Sequence, residues 1–118
     1  SDWQHLGVAA NQLAQSINAD GIIAITRTGY TANVVSNSKP FEMPIFCFTS
    51  NQSTFRSLSL VGSTHAHLLK SISNHDKTVK LITQKLQSYY PDKKNLKFVM
   101  ISGIFSEKHS EAIQVINI

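Results

Sequence analysis

The run Ile22-Ile23-Ala24-Ile25 limits the possible folds more than any other part of the chain. It is wholly apolar and rich in β-branched residues, closed by Asp20-Gly21 before it and Thr26-Arg27 after it. A strand with one face in water alternates apolar and polar residues. A strand with no polar residue must be covered on both faces, as in a parallel sheet with helices on either side. Ile45-Phe46-Cys47-Phe48 has the same character, as does Phe98-Val99-Met100-Ile101 after Leu96.

Helical patterns separate these runs. Trp3, Leu6, Ala10, Leu13, Ala14 and Ile17 recur at steps of three and four and predict an amphipathic helix over residues 2–18, stopped by Asn18-Ala19-Asp20-Gly21. Residues 30–37 read as a short helix with Ala32, Val34 and Val35 inward, which Pro40 prevents from continuing. Asn51 can cap a helix of about ten residues carrying Phe55 and Leu58 and ended by Gly62. Residues 64–69 form a weaker, edge-like strand. Ser73 or Asn74 can cap the next helix, whose buried stripe is Val79, Ile82, Leu86 and Tyr89 and whose end is Pro91. Ala112 to Ile118 is a last strand, apolar on both faces. About eight residues join it to the strand before, too few for a helical crossover, so these two strands should run antiparallel. The expected fold is a three-layer α/β/α sandwich around a five-stranded, mostly parallel sheet with the last strand antiparallel at its edge. No repeat, low-complexity segment or linker divides residues 1–118, and this length suits a single domain.

Composition narrows the function classes. Charged residues are 15% of the chain and hydrophobic residues 42%, which argues against a disordered tail. A run as short as Ile22–Ile25 cannot span a bilayer, and Ser1 to Leu13 lacks the apolar stretch of a secretory leader. Eleven Lys plus Arg against seven Asp plus Glu leaves +4, but the lysines are scattered except for Lys77, Lys80 and Lys85 and the pair Lys93–Lys94, a pattern that suits a solvated helix face, so no nucleic-acid partner is expected. One cysteine excludes a disulfide framework, and a cytoplasmic location follows by default. Cys47 lies in an apolar strand and reads as core packing. His65 and His67 would share one side of a strand, but two ligands do not make a metal site. Nothing resembles a nucleophile elbow, and Asp2, Asp20, Asp76 and Asp92 fall at helix ends, where capping places them.

The segment Thr26-Arg27-Thr28-Gly29-Tyr30-Thr31 joins a strand's carboxyl end to a helix's amino end. Free backbone N–H groups and the helix dipole suit a phosphate there. The threonines add hydroxyl donors, Gly29 lets the backbone approach, and Arg27 brings charge. A threonine-capped helix without a ligand has the same appearance. Thr49 to Arg56 is a second such junction, where Asn51 caps and Arg56 pins neighbouring carbonyls.

The chain resembles the C-terminal domain of pyruvate kinases. The apolar strand followed by Thr26-Arg27-Thr28-Gly29-Tyr30-Thr31-Ala32 is one match. Val35-Ser36-Asn37-Ser38-Lys39-Pro40 and the strand Pro44-Ile45-Phe46-Cys47-Phe48-Thr49 are others. The spaced set Thr49, Asn51, Thr54, Arg56, Leu58, Leu60 and Gly62 is the most specific, and Val99-Met100-Ile101-Ser102-Gly103 continues it, while residues 63–96 match in pattern alone. The resemblance implies a domain of regulation and assembly. In that family the chemistry, phosphoryl transfer from phosphoenolpyruvate to ADP with Mg²⁺ and K⁺, belongs to a barrel of about 250 residues and a lid. This stretch alone should therefore be catalytically silent and hold no cofactor. The expected partners are its own catalytic domains, further copies of itself and a phosphorylated effector gripped by Thr26 to Thr31. The family's second effector loop is rich in Gly, Ser and Thr. Here it reads Ile104-Phe105-Ser106-Glu107-Lys108-His109-Ser110, so only Gly103, Lys108 and His109 remain to meet a second phosphate. Ile113, Val115, Ile116 and Ile118 would form an apolar edge strand that pairs with its own copy or lies under the first helix. Two other readings use the same residues: a stand-alone α/β protein binding a phosphorylated metabolite, and a small hydrolase using residues 26–31 as an anion hole.

Overall fold

The computed structural model describes residues 2–27, 43–60, 64–72, 74–102 and 112–118. Helix α1 (Asp2–Ser16) comes first, followed by strand β1 (Gly21–Ile25) and strand β2 (Ile45–Thr49). Helix α2 (Gln52–Ser59), strand β3 (Thr64–Leu68), helix α3 (His75–Tyr89), strand β4 (Lys97–Ser102) and strand β5 (Ala112–Asn117) complete the order. The expected helix over 30–37 and the stop at Gly62 lie outside the described residues.

The sheet has the order β3-β2-β1-β4-β5. β1 pairs in parallel with β2 and with β4, and β2 in parallel with β3. β5 runs antiparallel to β4, from Lys97 opposite Asn117 to Ser102 opposite Ala112. The strands thus read as the sequence predicts, and the reason is visible in the two cores. Successive strand residues point to opposite faces. Ile22, Ala24, Cys47, Val99 and Ile101 pack with Ala10 and Ala14 of α1 and Leu58 of α2. Ile23, Ile25, Phe46, Phe48, Phe98 and Met100 pack with Ile82 and Leu86 of α3. Each buried Ile or Phe contributes about 2 kcal/mol by leaving water. A polar residue anywhere within these strands would face one core or the other.

The helix ends follow their local chemistry. Asn18 takes a left-handed φ of 54° after α1, and Ala19 N–H donates to the Ala14 carbonyl at 2.8 Å, closing a Schellman-type end. Asn51 caps α2 by accepting from Thr54 N–H at 2.9 Å, and Asn74 caps α3 by accepting from Lys77 N–H at 3.0 Å. Two expectations need correction. Asp20 is no helix cap: its carboxylate accepts from Lys97 N–H at 2.9 Å and from Lys93 Nζ, tying the start of β1 to the start of β4. Burial pushes the Asp20 carboxyl up, but those two partners outweigh it and hold the group below its ordinary range. Tyr89 is not part of the buried stripe of α3: it is 39% exposed, drawn to the sheet edge by a hydrogen bond to His67.

Candidate functional site

Reading along the sheet, β1, β2 and β3 step in one direction. The chain then returns through α3 and lays β4 on the far side of β1. The strand order therefore reverses between β1 and β4, and in open α/β sheets the crevice outside the carboxyl ends at such a point receives ligands. Three described residues stand there: Thr26 and Arg27 as the chain leaves β1, and Ser102 as the last residue of β4.

Thr26 is buried, and its N–H donates to the Phe48 carbonyl at 3.0 Å. Arg27 is exposed, and its carbonyl accepts from Thr54 Oγ at 2.6 Å. Thr54 is in turn held by its capping bond to Asn51, whose own N–H donates to Thr49 Oγ at 3.2 Å. The exit from β1 is thus fastened to the junction between β2 and α2, and the residues of the spaced Thr49, Asn51 and Thr54 pattern do the fastening. The part of Thr54 in positioning Arg27 is not legible in spacing, because it spans 27 positions of sequence. Arg56 is exposed on α2. Thr28, Gly29, Tyr30 and Thr31 lie outside the described residues, as do Gly103, Lys108 and His109.

Ser102 was legible in the sequence only as the start of a loop. It pairs in register with Ile25 and is 4% exposed. Among the described residues its hydroxyl has no hydrogen-bond partner. The signal that marks it is a hydroxyl in the alternation Phe98, Met100, Ser102, where the face otherwise carries apolar side chains.

The remaining candidates lie on β2, on β3 and at β5. His65 and His67 share one side of β3, each stacked at 5.2 Å between ring centroids, on Phe46 and Phe48 respectively. His67 Nε2 lies 2.7 Å from the Tyr89 hydroxyl. Burial, with Lys85 and His65 nearby, pulls the His67 imidazole down to about 4, and burial pushes the Tyr89 phenol up. The imidazole is therefore neutral at pH 7, and the phenol it is hydrogen-bonded to keeps its proton. Among the described residues no three His, Cys, Asp or Glu side chains gather as a metal-binding group. Burial pushes the Cys47 thiol up to about 12, against a hydrogen bond with Thr64 that lowers it, so it stays a thiol and a poor nucleophile. At the other edge Ile113, Val115 and Ile116 of β5, with Ile118 just beyond it, divide between faces. Ile113 packs toward the α1 core, Ile116 and Ile118 toward the α3 core, and Val115 is 42% exposed.

A five-stranded sheet of order 3-2-1-4-5, layered between helices and opening polar strand exits at its reversal point, defines an open α/β domain. Residues 4–116 match the family described as pyruvate kinase, alpha/beta domain, and the chain belongs to that family. It is 32% identical over 99 residues to a pyruvate kinase of Dictyostelium discoideum, an alignment that covers 82% of this chain and 19% of that protein. It is 31% identical over 72 residues to that of Eimeria tenella, covering 61% of this chain and 13% of the relative. The chain thus spans less than a fifth of the length of these relatives. Among solved structures, a pyruvate kinase of Cryptosporidium parvum superposes with a TM-score of 0.85 at 19% identity, covering 99% of this chain and 23% of that one. At that identity the likeness speaks for the fold.

Proposed function

We propose that this domain regulates and assembles a pyruvate kinase, and that it does so by holding a phosphorylated effector at Thr26, Arg27, Thr28, Gly29, Tyr30 and Thr31. The observation that carries the reading is the place of Thr26 and Arg27. They leave β1 at the reversal point of the sheet, with their backbone held by Phe48 and Thr54. A site fastened from two sides is preorganised for a ligand. Thr28, Gly29 and Thr31 follow in sequence with the donors and backbone freedom a phosphate needs. Gly103, Lys108 and His109 are the second contact in this reading. The catalytic work, phosphoryl transfer from phosphoenolpyruvate to ADP with Mg²⁺ and K⁺, would belong to the barrel and lid of a longer protein. A cytoplasmic setting belongs to the same reading and suits a buried, unpaired Cys47.

Assembly is assigned to β5. Among the described residues it is the outermost strand, paired on one side with β4, and Val115 on it is exposed. An apolar edge left bare invites pairing, and a second copy related by a two-fold axis supplies it.

The test is a thermal-shift titration of the chain with fructose 1,6-bisphosphate, glucose 6-phosphate, ribose 5-phosphate and AMP. At a hundredfold excess over Kd, binding adds about 2.7 kcal/mol to the folded state. The expected result is a saturable rise with one ester that Thr28→Ala abolishes. No shift up to millimolar ester would remove the effector from this reading and leave assembly alone. A stand-alone metabolite-binding protein would also bind the ester. It separates from the proposed domain when the chain is joined to pyruvate kinase catalytic domains and the ester leaves their activity unchanged.

A further inference from the structure

Ser102 closes β4 in a setting that does not favour a serine. Its neighbours two and four positions back, Met100 and Phe98, are buried in the core beneath α3, as is its register partner Ile25. Its backbone belongs to the ladders that β4 makes with β1 and with β5. Nothing in the strand calls for a side-chain hydroxyl. Yet the hydroxyl is there, buried, and without a partner among the described residues. Buried polar groups are almost always hydrogen-bonded, and one left unpaired destabilises the fold relative to alanine at the same place. The position is also specific. Ser102 stands beside Ile25, one residue before Thr26, on the two strands between which the sheet order reverses.

We infer that the Ser102 hydroxyl is a ligand-binding group that donates to an oxygen of the phosphorylated effector seated at the exits of β1 and β4. This rests on the effector reading above and adds a residue to it. A hydroxyl has one proton to donate and can rotate toward its acceptor. Donation to an anionic oxygen makes a short, charge-assisted bond. Serine at this position therefore gives up some stability of the empty protein in exchange for affinity.

The test compares wild type, Ser102→Ala and Ser102→Thr by calorimetric titration with the esters above and with inorganic phosphate, and by thermal unfolding without ligand. Ser102→Ala is expected to bind the ester about tenfold more weakly, the usual effect of losing one hydrogen bond to a charged group. Its unfolding temperature without ligand should be no lower than wild type. Ser102→Thr, which keeps the hydroxyl, should restore affinity to within about twofold. A parallel loss with inorganic phosphate places the contact on the phosphate, and a loss with the esters alone places it on the sugar. Three results would overturn the inference. Equal affinity in Ser102→Ala would leave the effector reading standing without Ser102. A lower unfolding temperature for Ser102→Ala would show that the hydroxyl has a partner within the fold. If no ester or phosphate binds wild type, the effector reading fails and Ser102 has no ligand to serve.

Discussion

His67 illustrates how a single side chain takes its chemistry from its surroundings. On sequence it is one of two histidines on a strand. In the fold it is stacked on Phe48, bonded to the Tyr89 hydroxyl and faced by Lys85 and His65, and its imidazole is held down to about 4 from an ordinary 6.5. Above pH 6.5 the ring is neutral in both folded and unfolded chains and adds no pH dependence. Between 6.5 and about 4 the unfolded chain binds a proton that the folded chain refuses, so stability falls as pH falls through that window. Urea unfolding at pH 7 and pH 5 should show a smaller acid loss in His67→Phe than in wild type. Equal losses would mean that the ring is solvated in the folded protein. That His65 and His67 share a face was legible from strand alternation. That Tyr89 meets them was not, because the contact joins residues 22 positions apart.

At the scale of elements, the caps and strands obey local rules, and the exceptions arise where two elements meet. Asn51 and Asn74 cap the helices the spacing assigns to them. Asp20 looks like a capping residue too, yet the packing of β1 beside β4 brings Lys97 N–H within 2.9 Å of its carboxylate. The start of β1 carries a second junction. A Cβ on Gly21 would lie 2.8 Å from Cε2 of Phe46 and 3.0 Å from the Pro44 carbonyl oxygen. The Phe46 ring has little room to yield, since His65, Tyr89, Tyr90 and Phe98 pack around it. Gly21→Ala should therefore destabilise the fold by about 1–3 kcal/mol, as overpacking does. An unchanged midpoint in urea would show that Phe46 can step aside. The glycine reads from sequence as a turn residue after α1, whereas its packing role needs the neighbouring strand.

For the molecule as a whole, strand order decides what lies beside what. The reversal between β1 and β4 puts Thr26, Arg27 and Ser102 at one end of the sheet, although some 75 positions separate the first two from the third. It also leaves β3 and β5 as the edges. β3 carries the histidines against α3, while β5 offers an exposed Val115. If β5 joins a second copy, Val115→Lys should shift the protein from dimer toward monomer at micromolar concentration, because a lysine on an edge strand opposes pairing. Multi-angle light scattering reads the change directly. A wild-type monomer under the same conditions would sink the assembly proposal.

The described element order, the burial of the central strands on both faces and the antiparallel last strand were all legible in the chain. Each rests on a local signal: apolar periodicity, a capping side chain, or a connection too short to cross over. The segment leaving β1 was legible as a candidate site for the same reason, since its residues are contiguous. What only the tertiary structure supplies are contacts between residues distant in sequence: Thr54 on the Arg27 carbonyl, Tyr89 on His67, Asp20 on Lys97, and Ser102 set beside Ile25. Periodicity says which face of an element is buried, because burial depends on the element's own geometry. It cannot say which side chain from another element will be waiting there, because that depends on strand order and register.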